Sequence, residues 1–306
     1  MEAADLDFGD VPEGHRSGYV TLVGRPNVGK STLMNALVGR KLSIVTRKPQ
    51  TTRQRVLGIL SDEERQIIFL DTPGVLEPRY GLQSVMMRSV QGAIRDADLV
   101  LFMADATRDE PDRLTLDFVE DRTAILLLNK IDLIPQEQAL PLVDRYTELR
   151  AFEEVIPTSA LKDYNLDAVL DEITERLPKG PPFYPKDVVS EHPERFFVAE
   201  IIREKVFQQY RQEIPYSVQV NIVEYAEHAG DRKDVIDAEI VVNKESHKGI
   251  LIGKGGQALK ALGEAAREDI EPFLNRDVYL QLHVKARAGW RDDEGRLRSY
   301  GYRTDE

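Results

Sequence analysis

The sequence has no cysteine among its 306 residues, which excludes disulfides, thiolate metal sites and cysteine nucleophiles. It also has no apolar run of membrane-spanning length, since the longest runs, residues 99–104 and 124–128, have the length of strands. Positive charge is scarce, because 41 Lys and Arg stand against 53 Asp and Glu, for a net charge of −12. The surface as a whole is therefore unsuited to indiscriminate binding of polyanions.

The length and the changes in composition along the chain predict two domains. Residues 1–17 form an acidic N-terminal extension without the basic-then-apolar order of a secretion signal, which favours a cytoplasmic protein. Over residues 18–178, β-rich runs alternate with amphipathic stretches, as in a doubly wound α/β domain with a parallel sheet. Residues 179–193 are proline-rich and predict a linker. Residues 194–306 predict an α+β domain of order α-β-β-α-α-β with a C-terminal tail.

A phosphate-binding loop of the pattern GxxxxGKS follows the first predicted strand and opens a helix. Its glycines allow backbone N–H groups to turn toward phosphates at a helix start. Lys30 is expected to reach the β- and γ-phosphates, and the Ser31 hydroxyl to bind Mg²⁺. A glycine-rich turn with a chance lysine is disfavoured, because eight positions match in the required context. The predicted nucleotide contacts of this loop are Gly24, Arg25, Pro26, Asn27, Val28, Gly29, Lys30, Ser31 and Thr32.

The motif Asp71-Thr72-Pro73-Gly74 ends an apolar run and places a carboxylate at the same sheet edge as the phosphate-binding loop. Asp71 is the expected Mg²⁺ carboxylate, and the Gly74 amide can approach the γ-phosphate because glycine has no side chain. Upstream, a switch threonine should reach Mg²⁺; Thr52 is favoured and Thr51 stays open. The residues predicted to act on the reacting phosphate are Lys30, Thr52 and Gly74, and those predicted to hold Mg²⁺ are Ser31, Thr52 and Asp71.

The residue after Gly74 is Val75, at the position where Ras-like enzymes carry a glutamine that orients the attacking water. A valine side chain cannot orient water, so intrinsic hydrolysis is predicted to be slow or to use another device. The surrounding switch region, residues 39–60, carries six basic residues and no acidic one. It either complements bound phosphates or also touches RNA, and the sequence leaves both interpretations open.

The motif Asn129-Lys130-Ile131-Asp132 follows another apolar run and is the guanine-specifying signature of GTPases. Asp132 can accept two hydrogen bonds that guanine donates and adenine does not, so a mismatched base leaves a buried acceptor unpaired. Lys130 would cover the base, and Asn129 would tie this loop to the phosphate-binding loop. Further on, Ser159, Ala160 and Leu161 resemble the fifth GTPase motif, in which the Ala160 amide would contact the guanine oxygen. The predicted cofactors are GTP or GDP with Mg²⁺.

The second domain contains a GxxG loop, residues 253–256, between two apolar helical segments. In KH domains such a loop clamps a single-stranded nucleic-acid backbone, and the α-β-β-α-α-β order is that of type II. A flexible turn without a ligand is the alternative. Residues 241–291 carry nine Lys and Arg against six Asp and Glu, opposite to the trend of the chain. The predicted RNA contacts are Lys248, Gly253, Lys254, Gly255, Gly256, Lys260 and Lys285.

With these motifs in this order, the chain resembles the Era family of bacterial GTPases over nearly all of residues 18–302. The resemblance extends to residues 50–53, 213–218, 284–285, 289–291 and 297–302. It implies a P-loop GTPase domain followed by a type II KH domain, binding of the 3′ region of small-subunit (16S) ribosomal RNA, and help in small ribosomal subunit assembly and maturation coupled to cell growth.

The resemblance also implies peripheral contact with the cytoplasmic face of the cell membrane. Asn27 corresponds to a residue that binds K⁺ in some related GTPases, so K⁺ is a further predicted ion. No metal cluster and no disulfide partner are predicted. The rival hypothesis is a general RNA-binding protein that nucleotide stabilises without significant turnover. Transfer-RNA-modifying and iron-transporting GTPases are disfavoured, because their partner domains lack the GxxG arrangement.

Overall fold

The computed structural model of the protein describes residues 12–228 and 232–302. Within them the chain forms two units. Unit 1 consists of residues 12–43, 52–77 and 86–191, and unit 2 of residues 44–51, 78–85, 192–228 and 232–302. Most of the predicted N-terminal extension, residues 1–11, and the end of the predicted tail, residues 303–306, lie outside the described residues. Two short segments from within the predicted first domain thus group with the second.

Unit 1 is built on a six-stranded sheet of order β2-β3-β1-β4-β5-β6. The strands are β1 Arg16–Gly24, β2 Val56–Ser61, β3 Arg65–Asp71, β4 Leu99–Asp105, β5 Ala124–Asn129 and β6 Val155–Pro157. Strands β4 and β5 are buried almost throughout, as expected for parallel strands covered on both faces. The carboxyl ends of β1, β3, β4, β5 and β6 meet at one edge, where ligands bind in such sheets.

The expectation of a parallel sheet is wrong for one pair, since β2 runs antiparallel to β3. Only residues 62–64 connect these strands, which is too short for a crossover and suits a hairpin. The Asp62 carboxylate holds the turn by accepting the amides of Glu64 and Arg65, both at 2.9 Å. The helices that follow the strands are α1 Lys30–Val38, α2 Gly81–Asp96, α3 Arg113–Phe118, α4 Ala139–Thr147 and α5 Leu166–Arg176.

The proline-rich segment expected to be a linker has no helix or strand, but most of it is packed on unit 1. The fully buried side chain of Gln66 accepts the amides of Phe183 and Tyr184 and donates to the Tyr184 carbonyl at 2.7 Å. The Ile59 amide of β2 donates to the Val189 carbonyl at 2.9 Å. Residues 179–191 therefore cover the edge of the sheet.

Unit 2 contains helix α6, strands β7 and β8, helices α7 and α8, strand β9 and a last helix, α9. Their bounds are α6 Glu194–Gln209, β7 Gln219–Ala226, β8 Asp234–Val242, α7 Glu245–Ile252, α8 Gln257–Leu274, β9 Val278–Ala286 and α9 Glu294–Ser299. In the sheet β7-β8-β9, the first pair is antiparallel and the second parallel. The predicted α-β-β-α-α-β order is present, with α9 as an addition. No helix among the described residues is long and apolar enough to cross a bilayer.

The core of unit 2 lies between the sheet and helices α6 and α8. Val198 and Ile202 of α6, Ile240 of β8 and Ile270 of α8 are all without exposed surface and belong to one cluster. The single tryptophan, Trp290, is also fully buried, and its Nε1 donates to the Ser217 carbonyl at 3.0 Å. This bond anchors the segment after β9 at the start of β7.

Candidate nucleotide site and RNA-binding surface

The phosphate-binding loop joins the carboxyl end of β1 to the first residue of α1. Gly29 precedes the helix with a φ of 110°, in the left-handed region that favours glycine. Lys30 is buried, and its Nζ donates to the carbonyls of Gly24 at 3.0 Å and Arg25 at 3.1 Å. Burial lowers the pKa of Lys30 to about 8, although the carboxylates of Asp71 and Asp112 act against this shift. The loop thus surrounds the Lys30 ammonium group, and bound phosphates would replace the Gly24 and Arg25 carbonyls as its partners.

The remaining residues of the loop differ in their surroundings. The Arg25 Nε is 2.8 Å from the carboxylate of Asp112, which is itself buried. Asn27 is exposed and has a φ of 64°, whereas Val28 is buried. Thr32 is half-buried in the first turn of α1.

Three oxygen-bearing side chains meet beside Lys30. The Ser31 Oγ donates to Asp71 Oδ2 at 2.7 Å, and the Thr52 Oγ1 lies 3.0 Å from Ser31 Oγ and 3.5 Å from Asp71 Oδ2. Burial raises the pKa of Asp71, and the hydrogen bond from Ser31 and the charge of Lys30 oppose this rise. Two hydroxyls and one carboxylate are hard oxygen donors of the kind Mg²⁺ takes alongside nucleotide phosphates. The geometry joins Thr52, and not Thr51, to this group.

The loop after β3 lies directly against the phosphate-binding loop. The Thr72 hydroxyl donates to the Leu22 carbonyl at 2.6 Å, and the Val75 amide donates to the Gly24 carbonyl at 3.0 Å. A Cβ added to Gly74 would stand 2.4 Å from the backbone nitrogen of Pro26, so only glycine fits there. Pro73 is buried beside it. Val75 is 2% exposed and has no polar group to offer a nucleophile.

Asn129 connects three loops at the same edge. Its Nδ2 donates to the Val28 carbonyl at 2.7 Å, and its Oδ1 accepts the Ala160 amide at 2.9 Å. The predicted tie between the guanine motif and the phosphate-binding loop is thus in place. The Ala160 amide, for which a contact with the guanine oxygen is predicted, donates to Asn129 in this structure.

The other residues predicted to contact guanine follow Asn129 or lie in the loop after β6. Lys130 has a φ of 67°, and its Nζ is 2.6 Å from Asp105 Oδ2. Although burial raises the pKa of Asp105, hydrogen bonds from Lys130 and Thr107 hold it below its usual value. Asp132 is exposed in the short turn after Lys130, where a base could reach it. Ser159 is buried and Leu161 is 76% exposed.

Sequence reasoning missed Asp105 and Asp112. Asp105 ends β4, one of the strands whose carboxyl ends line the site, and this position was the signal that could have found it. Asp112 caps α3, where it accepts the Thr115 amide at 3.3 Å, and no motif distinguishes it from other capping aspartates. Both carboxylates pair with predicted site residues, Lys130 and Arg25 respectively.

In unit 2 the GxxG loop joins α7 to α8. Gly253, Gly255 and Gly256 have φ values of 71°, 61° and 80°, a backbone that other residues rarely adopt. Beside the loop is an open groove of about 380 Å³ between α8 and β9. Its lining residues are Gly256, Leu259, Lys260, Gly263, Glu264, Arg267, Leu280 and Leu282.

The predicted RNA-contacting lysines are not all at this groove. Lys260 lines it and forms a 3.8 Å ion pair with Glu264, and Lys254 is exposed on the loop. Lys248 is half-buried on α7. Lys285 is exposed on β9, does not line the groove, and forms an ion pair with Glu239.

The fold and these two sites define a class: a P-loop guanine-nucleotide-binding domain joined to a KH domain. The sequence matches the family described as "50S ribosome-binding GTPase" over residues 19–130 and the KH domain family over residues 213–291. It is 50% identical to a chloroplast Era GTPase of Zea mays over 295 residues, covering 94% of this chain and 71% of the relative. It is 49% identical to the Era-like chloroplast GTPase of Arabidopsis thaliana, covering 97% and 71%.

Solved structures agree with this class. An Aquifex aeolicus Era variant bound to GDP·AlF4⁻ matches with a TM-score of 0.89 and 41% identity, covering 94% of this chain and 99% of that one. A structure of Era with MgGDPNP and nucleotides 1506–1542 of 16S ribosomal RNA matches with a TM-score of 0.90, the same identity and the same coverage. The chain belongs to the Era family of GTPases. It is a GTP hydrolase with a C-terminal KH domain.

Proposed function

We propose that the protein is a GTP-dependent switch that binds the 3′ region of 16S ribosomal RNA through its KH domain and assists assembly of the small ribosomal subunit. The observation that carries this proposal is the GxxG loop beside the groove between α8 and β9. The Era structure that contains MgGDPNP and nucleotides 1506–1542 of 16S RNA supports it. A single strand would follow the loop with its backbone and lay its bases into the groove.

An RNA-binding measurement tests this function. The probe is a labelled oligonucleotide of the 16S 3′ end, with the same bases in scrambled order as the control. The double variant Lys254→Asp, Gly255→Asp should lose at least about tenfold in affinity, because it places two carboxylates against phosphates. The matched control is Lys233→Asp, which changes an exposed lysine of the same unit. Equal affinity for both oligonucleotides would refute the proposal.

At the nucleotide site, Lys30 would contact the phosphates, and Ser31, Thr52 and Asp71 would hold Mg²⁺. When bound, Mg²⁺ would supply charge neutralisation at the β- and γ-phosphates. The side-chain oxygens of Ser31, Thr52 and Asp71 lie 2.7 to 3.5 Å apart, which supports these roles.

In the proposed site, Asp132 accepts the hydrogen bonds that the guanine edge donates. We expect Asp132→Asn to move preference from GTP to xanthosine triphosphate, because the substituted amide can donate to the extra carbonyl of xanthine. An unchanged preference would remove Asp132 from the site.

Intrinsic hydrolysis is slow, since Val75 cannot orient water, and Asn27 would hold a K⁺ ion whose charge favours hydrolysis. Asn27 stands on the exposed side of the phosphate-binding loop, within the reach of solvent ions. Multiple-turnover phosphate release should be faster in KCl than in NaCl, and Asn27→Ala should remove the difference. Equal rates in the two salts would remove K⁺ from the mechanism.

The same measurement tests the rival function of a nucleotide-stabilised RNA-binding protein. Absence of phosphate release in both salts, with the cognate RNA present, would favour that function.

On the family resemblance alone, we also propose that the protein is cytoplasmic and that it contacts the cell membrane peripherally. We further propose that its role in subunit assembly is coupled to cell growth. The relatives in maize and Arabidopsis are named as chloroplast proteins. Flotation with vesicles of anionic lipid, with and without a GTP analogue, tests the membrane contact. Protein that stays at the bottom of the gradient in both states would refute it.

A further inference from the structure

Two segments that interrupt the sequence of unit 1 belong to unit 2, and we call them the inserted segments. Each is close in sequence to a residue of the nucleotide site. The first inserted segment, residues 44–51, ends immediately before Thr52, and the second, residues 78–85, follows the loop that contains Gly74. In nucleotide switches, such segments become ordered or released according to the γ-phosphate. Their partners within unit 2 therefore determine whether the KH unit influences the nucleotide state.

The first inserted segment is held by Arg203 of α6, which is 2% exposed. Its Nη2 donates to the Thr51 carbonyl at 2.5 Å and also to the Glu200 carboxylate. Its Nε donates to Glu200 Oε1 at 2.8 Å, and the guanidinium lies 5.5 Å from the centre of the Phe207 ring. The Glu200 carboxylate and the Phe207 ring fix this buried guanidinium, so its Nη2 meets the Thr51 carbonyl from one direction. The Thr51 peptide group is therefore held in one orientation.

Further contacts hold the same segment to α6. The Lys48 Nζ donates to the carbonyls of Phe207 and Tyr210, which lie at the C-terminal end of the helix, where a cation is stabilised. The Val45 amide donates to Glu204 Oε1 at 3.4 Å. The segment is thus attached near its beginning, middle and end.

The second inserted segment is joined to the first and to the loop after β9. Gln50 Oε1 accepts from Gln83 Nε2 at 3.1 Å and from the Tyr80 hydroxyl at 3.4 Å. The Arg291 guanidinium lies 4.5 Å from the centre of the Tyr80 ring, and Asp292 Oδ1 accepts the first amide of α2 at 2.8 Å. Both segments are therefore bound by elements of the KH unit.

We propose that Arg203 is a positioning residue for the nucleotide switch. By holding the Thr51 carbonyl, it fixes the peptide bond that leads to Thr52 and keeps that hydroxyl available to the Mg²⁺–GTP state. This inference rests on the role given to Thr52 in the proposed function. A ligand shifts an equilibrium between two states only when its contacts differ between them. Arg203 therefore favours GTP over GDP to the extent that Thr52 contacts the triphosphate state and not the diphosphate state.

The test compares affinities for a non-hydrolysable GTP analogue and for GDP, each in Mg²⁺, in four variants of the full chain. Arg203→Lys keeps the charge beside Glu200 but cannot span Glu200 and Thr51 together, and Lys48→Met probes the same segment independently. Arg276→Lys is the matched control, because it shortens an arginine of unit 2 that pairs with Asp234, away from the inserted segments. Thr52→Ala is the reference.

We expect Arg203→Lys and Thr52→Ala to weaken binding of the analogue by up to about tenfold, the order for one charge-assisted hydrogen bond, and Lys48→Met to do so in the same direction. Affinity for GDP should stay within about twofold, and Arg276→Lys should change neither affinity. If Arg203→Lys and Lys48→Met bind the analogue as Arg276→Lys does while Thr52→Ala is impaired, the inference is overturned and the proposed site stands. If Thr52→Ala also binds normally, the role of Thr52 fails and the inference fails with it. An equal loss for analogue and GDP would mark Arg203 as merely structural and overturn the proposal.

Discussion

Lys30 is a charged residue whose side chain is buried by the fold. Its pKa is lowered to about 8 by burial, from about 10.5 in the unfolded chain. Between these values the unfolded state binds more protons, so the free energy of unfolding of the nucleotide-free protein should rise with pH from about 8 to 10.5. The full rise from this group is about 3 kcal/mol, and it is lost as the pH falls from about 10.5 to about 8.

Chemical denaturation of wild type and Lys30→Met from pH 7 to 10 measures this contribution. Other groups titrate in the same range, so the informative quantity is the difference between the two proteins at each pH. We expect the wild type to gain stability relative to Lys30→Met as pH rises, and the variant to bind no GTP at any pH. A difference that does not change with pH would contradict the assignment.

Gly74 illustrates a residue whose role depends on the absence of a side chain. Because a Cβ there would meet backbone atoms of Pro26 at 2.4 and 2.5 Å, Gly74→Ala must move the loop away from the phosphate-binding loop. We expect GTP turnover to fall at least about tenfold and the free energy of unfolding to fall by about 1–3 kcal/mol. In the control Gly92→Ala, on α2, the nearest atom is 4.0 Å from the added Cβ. It should keep its turnover and gain about 0.5–1 kcal/mol of helix stability. Equal turnover in the two variants would argue against the close approach.

At the scale of elements, hydrophobic periodicity predicted the alternation of strands and helices in residues 18–178 and the α-β-β-α-α-β order of residues 194–306, and the structure has both. Periodicity does not encode strand direction, so the antiparallel β2–β3 pair was missed. The six-residue helix α9 was missed because it buries only Leu297 and leaves almost no apolar pattern. The nucleotide motifs could be predicted because each is a short run of residues with fixed spacing, whereas Arg203 belongs to no motif and its contact with Thr51 is distant in sequence.

The prolines after α5 predicted irregular backbone correctly, but not its packing, which depends on Gln66 of β3. This side chain is fully buried and makes four hydrogen bonds, three of them to the backbone of Phe183 and Tyr184. We expect Gln66→Ala to lower the free energy of unfolding by about 2–4 kcal/mol, because it leaves buried amides unpaired. Limited trypsin digestion should then cut faster at Lys179 and Lys186. Gln91→Ala, an exposed glutamine of α2, is the control, and equal digestion of the two variants would contradict the role of Gln66.

For the whole molecule, the net charge of −12 limits where a polyanion can bind. The groove beside the GxxG loop carries Lys260 and Arg267, and Lys254 is exposed on the loop itself. Lys260 is partly neutralised by Glu264, and Arg267 by Glu271 at 3.8 Å. The cationic surface is therefore small, and an acidic remainder disfavours RNA that extends beyond it.

This distribution predicts how RNA affinity depends on salt. With about three or four phosphates neutralised, the logarithm of the association constant should fall with the logarithm of salt concentration with a slope of about −2 to −3. Lys254→Ala should make the slope less steep by about 0.7, the value for one phosphate on a single strand, and Lys233→Ala should leave it unchanged. Fluorescence anisotropy at several salt concentrations, in the presence of a GTP analogue, gives the slope. A slope near −7 would require about ten phosphates and a broad basic surface, which the described part of the chain does not offer.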